Sequence, residues 1–129
     1  MTLRAFSTAT AAALVLVACV QAPPAPLGLM DIAERPAEKA LLGGIRAYED
    51  AQYGKAEADL NTALQAGLVS ARDRAAVHKY LAFVYCSSQR ERECESEFRL
   101  ARAADPGFVL SRSEAGHPVW GPVYKRLLP

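Results

Sequence analysis

Residues 36–66 read PAEKALLGGIRAYEDAQYGKAEADLNTALQA, and residues 73–104 read DRAAVHKYLAFVYCSSQRERECESEFRLARAA. In both stretches apolar side chains recur at steps of three and four residues, which is the period of an α-helix. Helices are predicted from Pro36 to about Ala51, from about Ala56 to a cap at Gly67, over 73–87 and over 91–104. Turns are predicted at 52–54 and 105–107. No useful stretch has the alternation of a strand, so the sequence predicts an all-α fold.

The two stretches repeat one spacing. Four positions, separated by successive intervals of 12, 4 and 3 residues, hold a small, a small, a large and a small residue. They are Gly44, Ala56, Leu60 and Ala63 in the first stretch and Ala82, Cys94, Phe98 and Ala101 in the second. Small residues let two helices approach closely, and the large residue fills the next groove. The pattern resembles the tetratricopeptide repeat over about 38–108. Its closing proline is matched by Pro106, whereas Leu68 stands there in the first repeat.

The repeat is longer than the family's. Ala56 and Cys94 are 38 residues apart, against about 34 in tetratricopeptide repeats. The four extra residues are assigned to an inter-repeat turn at 67–74. The resemblance implies about two tetratricopeptide-like helix pairs, and a plain four-helix bundle is the alternative fold.

Two repeats are too few to bury a continuous core, so something must cover the last pair. The segment 119–128 is predicted to be this C-terminal capping helix, with Pro122 in its first turn. Five of its residues share one helical face: Val119, Trp120, Val123, Tyr124 and Leu127. The preceding residues 111–118 are predicted to form a polar loop.

The charge balance excludes some partners. The 129 residues contain 15 basic and 14 acidic side chains, for a net charge of +1. Nucleic-acid binding needs a basic surplus, so no nucleic-acid partner is expected.

The N-terminal residues have the order of an export signal. Arg4 precedes the mostly apolar run 9–17, which is too short to span a membrane. The run ends in Leu-Val-Ala-Cys at 16–19, which resembles a bacterial lipobox. The resemblance implies cleavage before Cys19 and acylation of its thiol, which anchors the chain to a membrane. The alternatives are an ordinary secretory signal with a chance cysteine and a short buried helix.

Three segments are therefore predicted: a signal peptide at 1–18, a lipidated and proline-rich tether at 19–35, and a helical domain at 36–129. Prolines 23, 24 and 26 favour an extended tether. No aspartate follows Cys19, and by the sorting rule of lipoproteins this favours the periplasmic face of the outer membrane.

Cys86 and Cys94 remain as a pair once Cys19 carries lipid. They lie near the end of the third predicted helix and the start of the fourth, where antiparallel helices face each other. Because an exported protein meets an oxidising compartment, we expect a disulfide. Two buried free thiols are the alternative.

Catalytic patterns are scarce. The two histidines, His78 and His117, belong to no motif with a nucleophile or metal, and no Walker, G-x-S-x-G or H-E-x-x-H motif occurs. The alternating glutamates and arginines of 90–99 are typical of a solvated helix face. We expect no enzyme activity, no catalytic residue, no metal site and no cofactor.

Tetratricopeptide repeats bind partners on the concave face formed by the first helix of each pair. The resemblance places six residues there: Leu41, Ile45, Tyr48, Glu49, Lys79 and Phe83. Leu41 and Phe83 could instead belong to the core. The expected partner-binding residues are Tyr48, Glu49 and Lys79, together with Trp120 as a large terminal anchor.

A narrower resemblance covers about 36–127. The segments AEKALLGGIRAYEDAQYGKAEADLNTAL, HKYLAFVYCSSQRERECESEFRLA and AGHPVWGPVYKRL resemble the TssQ family of tetratricopeptide lipoproteins associated with type VI secretion. This implies an accessory role at the secretion system's envelope complex, by protein contact. A lipoprotein that assists pilus or cell-wall assembly is the alternative.

Overall fold

The computed structural model describes Gly28, Asp31 and residues 35–129, and this part of the chain is all-helical with no strand. Residues 35–129 contain six helices: α1 Pro36–Glu49, α2 Tyr53–Ala66, α3 Ala71–Ser87, α4 Glu91–Ala104, α5 Arg112–Ala115 and α6 Gly121–Arg126. The predicted all-α class, with two helix pairs and a C-terminal cap, is confirmed. Cys19 and the signal peptide lie outside the described residues, as does nearly all of the tether.

The helices pack in two pairs. α1 lies along α2 and α3 lies along α4, while α3 also contacts α1 and α2 and so joins the pairs. A Cβ atom on Gly44 would lie 2.6 Å from Leu60 Cγ, so the first pair closes to a distance that only glycine permits. The other small and large residues of the repeated spacing are inaccessible to solvent: Ala56, Leu60, Ala63, Ala82, Cys94, Phe98 and Ala101.

The turns within the two pairs are the same. Gln52 N donates to Ala47 O at 2.8 Å, and Arg90 N donates to Tyr85 O at 2.8 Å. One left-handed residue precedes each donor, Ala51 with φ 57° and Gln89 with φ 61°. A hydrogen bond from an amide to the carbonyl oxygen five residues earlier closes the end of a helix in the Schellman motif. The equivalent turn residues are 38 apart, so the repeat includes the turns.

The link between the pairs is shorter than predicted. Gly67, with φ 85°, ends α2, and α3 begins at Ala71. The Ser70 side chain accepts a hydrogen bond from Asp73 N and caps α3, which therefore starts two residues before the predicted Asp73. Leu68 is buried, so a core side chain occupies the place of the family's proline.

The C-terminal cap differs in detail from its prediction. α6 is shorter than the predicted 119–128 and does have Pro122 in its first turn. Residues 111–118 are not simply a loop, because Ser111 and Glu114 form a capping box that starts the short α5. Trp120, Val123 and Tyr124 are buried, whereas Val119 is exposed. Within the described part of the chain, no helix is long and apolar enough to cross a membrane.

Candidate docking face

Four aromatic rings meet where the first helices of the two pairs, α1 and α3, pack together. Tyr48, Tyr53, Tyr80 and Phe83 form this inner aromatic cluster. The ring centroid of Tyr48 lies 5.9 Å from that of Tyr53, 5.4 Å from Tyr80 and 5.9 Å from Phe83. The three tyrosines are half-buried, so each is partly packed on the domain and partly accessible to solvent.

Tyr48 is a hydrogen-bond donor at any physiological pH. Burial, followed by the nearby Tyr53, Tyr80 and Glu114 side chains, raises the pKa of Tyr48 to about 12. Its hydroxyl therefore stays protonated. A half-buried tyrosine offers a rigid apolar surface together with this polar end, a combination that is frequent at protein interfaces.

Lys79 ties the inner aromatic cluster to the C-terminal segment. Its Nζ atom lies 4.7 Å from the Tyr80 ring centroid and 2.7 Å from Glu114 Oε1. Burial alone would raise the pKa of Glu114, but hydrogen bonds from Lys79 and the Ser111 amide outweigh it and lower the pKa. The Lys79–Glu114 pair therefore stays charged and links α3 to α5.

Trp120 is part of the cap and not an exposed anchor. Its side chain is buried, with the indole stacked 4.2 Å from Phe83 on one side and 3.4 Å from His117 on the other. Its Nε1 atom donates a hydrogen bond to Glu114 O at 2.9 Å. The side chain therefore covers the second helix pair, and the expected role of Trp120 in binding a partner stays a prediction.

The other residues expected on the concave face separate into core and surface. Leu41 and Phe83 are buried, and Ile45 is half-buried. Glu49 is exposed, and its side chain makes no ion pair or hydrogen bond with any described residue. The structure therefore brings Tyr48 and Lys79 together around Tyr80. Glu49, the residue after Tyr48, has an exposed carboxylate with no partner among the described residues.

Sequence reasoning missed Glu114, Tyr53 and His117. A signal existed for the first, because Ser111 followed three residues later by Glu114 is the pattern of a capping box. Tyr53 was assigned to a turn, and it is instead the first residue of α2. His117 lies three residues before Trp120, and the stacking of the two rings is a local contact that the sequence reasoning did not consider.

Cys86 and Cys94 lie at disulfide distance, with sulfur atoms 2.10 Å apart and Cα atoms 5.2 Å apart. They connect the last turn of α3 with the first turn of α4. The adjacent Arg90 binds both carboxylate oxygens of Glu57 on α2, at 3.1 and 3.0 Å, and lies over the Tyr85 ring. The cross-linked end of the second pair is thereby held against the first pair.

Both histidines make structural contacts. His78 Nδ1 lies 2.6 Å from Glu97 Oε2 between α3 and α4. His117 Nδ1 accepts a hydrogen bond from Val119 N at 3.2 Å. The described residues contain no group of three or more histidine, cysteine, aspartate or glutamate side chains placed to hold a metal ion. The described surface thus combines half-buried aromatic rings with charged side chains.

No protein-family model, no curated protein and no solved structure matches this chain.

Proposed function

We propose that this chain is a lipoprotein adaptor, anchored by Cys19 to the periplasmic face of the outer membrane and acting by protein contact as an accessory of a type VI secretion system. The observation that carries the proposal is the order of its parts. A lipobox ending at Cys19 is followed by a proline-rich tether and then by a domain of two helix pairs. An anchor, a spacer and a docking domain are the parts that an envelope adaptor needs.

The inner aromatic cluster supports protein contact as the mode of action. Its half-buried tyrosines are accompanied by Lys79, which lies above an aromatic ring, and by the exposed carboxylate of Glu49. Aromatic residues are enriched where proteins bind each other, since they contribute large contact areas at low cost in side-chain entropy. The partner in this proposal is a protein of the secretion system's membrane complex, and neither a nucleic acid nor a cofactor is required.

The docking test uses Glu49→Lys. Because Glu49 is exposed and has no partner among the described residues, its reversal changes the unfolding free energy by no more than about 0.5 kcal/mol. Co-purification of secretion membrane components from detergent extracts should fall to a small fraction of wild type. Glu93→Lys makes the same charge change at an exposed position of α4, away from the inner aromatic cluster, and should leave the yield unchanged.

Equal recovery by Glu49→Lys and wild type would exclude the inner face as the docking surface. Recovery of pilus or cell-wall assembly proteins in place of secretion components would favour the alternative function.

The anchor is tested separately by labelling cells with a palmitate analogue. The wild-type chain should incorporate the label and fractionate with the outer membrane, whereas Cys19→Ala should incorporate none. Equal labelling of the two chains would contradict acylation at Cys19.

A further inference from the structure

A line of arginines runs along the outer side of the second helix pair. Arg92, Arg99 and Arg102 on α4, with Arg126 on α6, form this outer arginine stripe. Arg92 and Arg99 are seven residues apart, which is two helical turns. They lie on the side of α4 opposite its buried residues Cys94, Phe98 and Ala101, and so face away from α3 and the inner aromatic cluster.

The stripe lines two adjoining recesses. One of about 450 Å³ is lined by Arg99, Arg102, Arg126 and Leu127. The other, of about 360 Å³, is lined by Arg92, Glu95, Ser96 and Arg99. Arg99 borders both recesses, and we refer to the two together as the cationic groove.

The guanidinium groups of the stripe keep donors free. Arg99 Nη2 binds Glu95 Oε1 at 2.5 Å, Arg126 Nη2 binds Glu91 Oε1 at 2.5 Å, and Arg102 Nη1 binds Leu127 O at 2.5 Å. Each guanidinium has five N–H donors, so one partner leaves most of them available. The side chains of Arg99 and Arg126 are 67 % and 53 % exposed.

The local charge is positive although the whole chain is nearly neutral. The four arginines of the stripe stand against the two carboxylates Glu91 and Glu95. Glu93 pairs with Arg90, and Glu97 lies on the side of α4 that faces α3, 2.6 Å from His78 Nδ1. The groove therefore presents a local excess of positive charge to an external anion.

An apolar element lies at the end of the groove. Leu127 lines the larger recess, and the adjacent Leu128 is 44 % exposed. Basic side chains next to exposed leucines are typical of segments that lie at a membrane interface. There the lipid phosphates bind the basic groups and the acyl chains contact the leucine. A surface that binds an acidic protein by charge alone has no need of the leucine.

We propose that the outer arginine stripe is the side of the domain that lies on the membrane, with its guanidinium groups on the phosphates of anionic phospholipids. The inference rests on the lipid anchor of the proposed function, because the anchor keeps the domain close to a bilayer. The predicted 17-residue tether, at about 3.1 Å per residue when extended, allows either side of the domain to approach the lipid. The stripe then fixes the orientation and leaves the inner aromatic cluster turned away from the membrane.

The test uses the mature chain 19–129 with Cys19→Ala, so that no acyl chain contributes to binding. Partitioning is measured by co-sedimentation with phosphatidylcholine vesicles and with vesicles containing about one third phosphatidylglycerol. Arg99→Gln/Arg126→Gln removes two charges from the stripe. Lys39→Gln/Arg46→Gln removes two charges from α1, which contacts neither α4 nor α6, and is the matched control.

The wild-type surface should bind the anionic vesicles and not the neutral ones. Each basic side chain near an anionic surface is worth about fivefold in partitioning, so the stripe variant should bind about 25-fold more weakly. The control should stay within about twofold of wild type, since its charges lie away from the groove. Leu128→Ala should weaken vesicle binding several-fold and leave binding to soluble polyglutamate unchanged.

Three results would overturn the inference: no preference for anionic over neutral vesicles, unchanged binding by the stripe variant, or binding of polyglutamate as tight as that of vesicles with no effect of Leu128→Ala. The last would identify an acidic protein as the occupant. Failure of the labelling test at Cys19 would remove the anchor of the proposed function, and the vesicle measurement would still report on the stripe itself.

Discussion

The two helix pairs share their residue spacing and turns but are stabilised differently. The first pair closes through Gly44 against Leu60. The second has the larger Ala82 and Phe98 at the equivalent positions, and adds the Cys86–Cys94 link and the C-terminal cap. A pair at the end of an array exposes a side that its neighbour would otherwise cover. The comparison indicates that the Cys86–Cys94 link and the cap stabilise the side of the second pair that no further pair covers in the described part of the chain.

The strongest test of this difference is Trp120→Ala. Loss of the buried indole should lower the free energy of unfolding by about 3–5 kcal/mol, because a large cavity opens above Phe83. Chemical denaturation measures the change. Val119→Ala, at the adjacent exposed position, should cost far less. Similar midpoints for the two variants would mean that the cap does not stabilise the second pair.

Reduction of the disulfide should have the next largest effect. Closing a loop of about nine residues contributes about 2–3 kcal/mol, so the reduced protein should melt about 10 °C or more below the oxidised one. Mass spectrometry of the unreduced protein should show the cysteine pair two hydrogens light. The Cys86→Ala/Cys94→Ala variant should not respond to reductant, and complete alkylation of both thiols without reductant would disprove the link.

Gly44→Ala tests the close approach in the first pair. Its Cβ atom would clash with the fully buried Leu60 side chain, and such overpacking costs about 1–3 kcal/mol. Gly54→Ala is the matched control, because nothing lies within 4 Å of its added Cβ atom. Thermal melts should show destabilisation at position 44 and no loss at position 54. A neutral Gly44→Ala would show that the helices can separate freely.

The smallest effect is expected from Glu114→Gln and depends on pH. The folded pKa of Glu114 is below its ordinary value of 4.5, so the charged form stabilises the fold above that value. The contribution is lost as pH falls through the lower folded pKa. Urea denaturation should show that the variant's free energy of unfolding is lower by about 1 kcal/mol at pH 7, and that this difference shrinks towards pH 3. Glu49→Gln is the control, and an equal loss at both pH values would mean that the Glu114 charge is not responsible.

The helix pairs could be predicted because their signals are local. Apolar periodicity, Pro36 and the repeated spacing of Gly44 and Ala82 each act within a few helical turns. The repeated spacing identified Gly44 as a small residue that allows close helix approach, and in the structure it packs against Leu60 of α2. Local chemistry of this kind is present in the sequence of each helix and requires no knowledge of the other elements.

The candidate site was less predictable because the cap folds back over the second pair. The sequence placed Trp120 on the apolar face of the cap but did not show which ring it contacts, and in the structure it stacks on Phe83. Lys79 likewise finds Glu114 at a separation of 35 residues, which no local pattern encodes. Tyr48 and Glu49 were placed on the face by family resemblance, and their role as a docking surface stays a prediction.

The matching turns at Ala51 and Gln89 offer a route to a more thermostable protein. A left-handed backbone costs a residue with a side chain about 1–2 kcal/mol, and glycine adopts it freely. Glycine at either position would remove this cost. Position 89 is the better choice, because its turn lies outside both the inner aromatic cluster and the outer arginine stripe, whereas Ala51 lies between Tyr48 and Tyr53 of the cluster. The turn at Gln89 is therefore a position at which the domain could be stabilised for use in crystallisation or as a display scaffold.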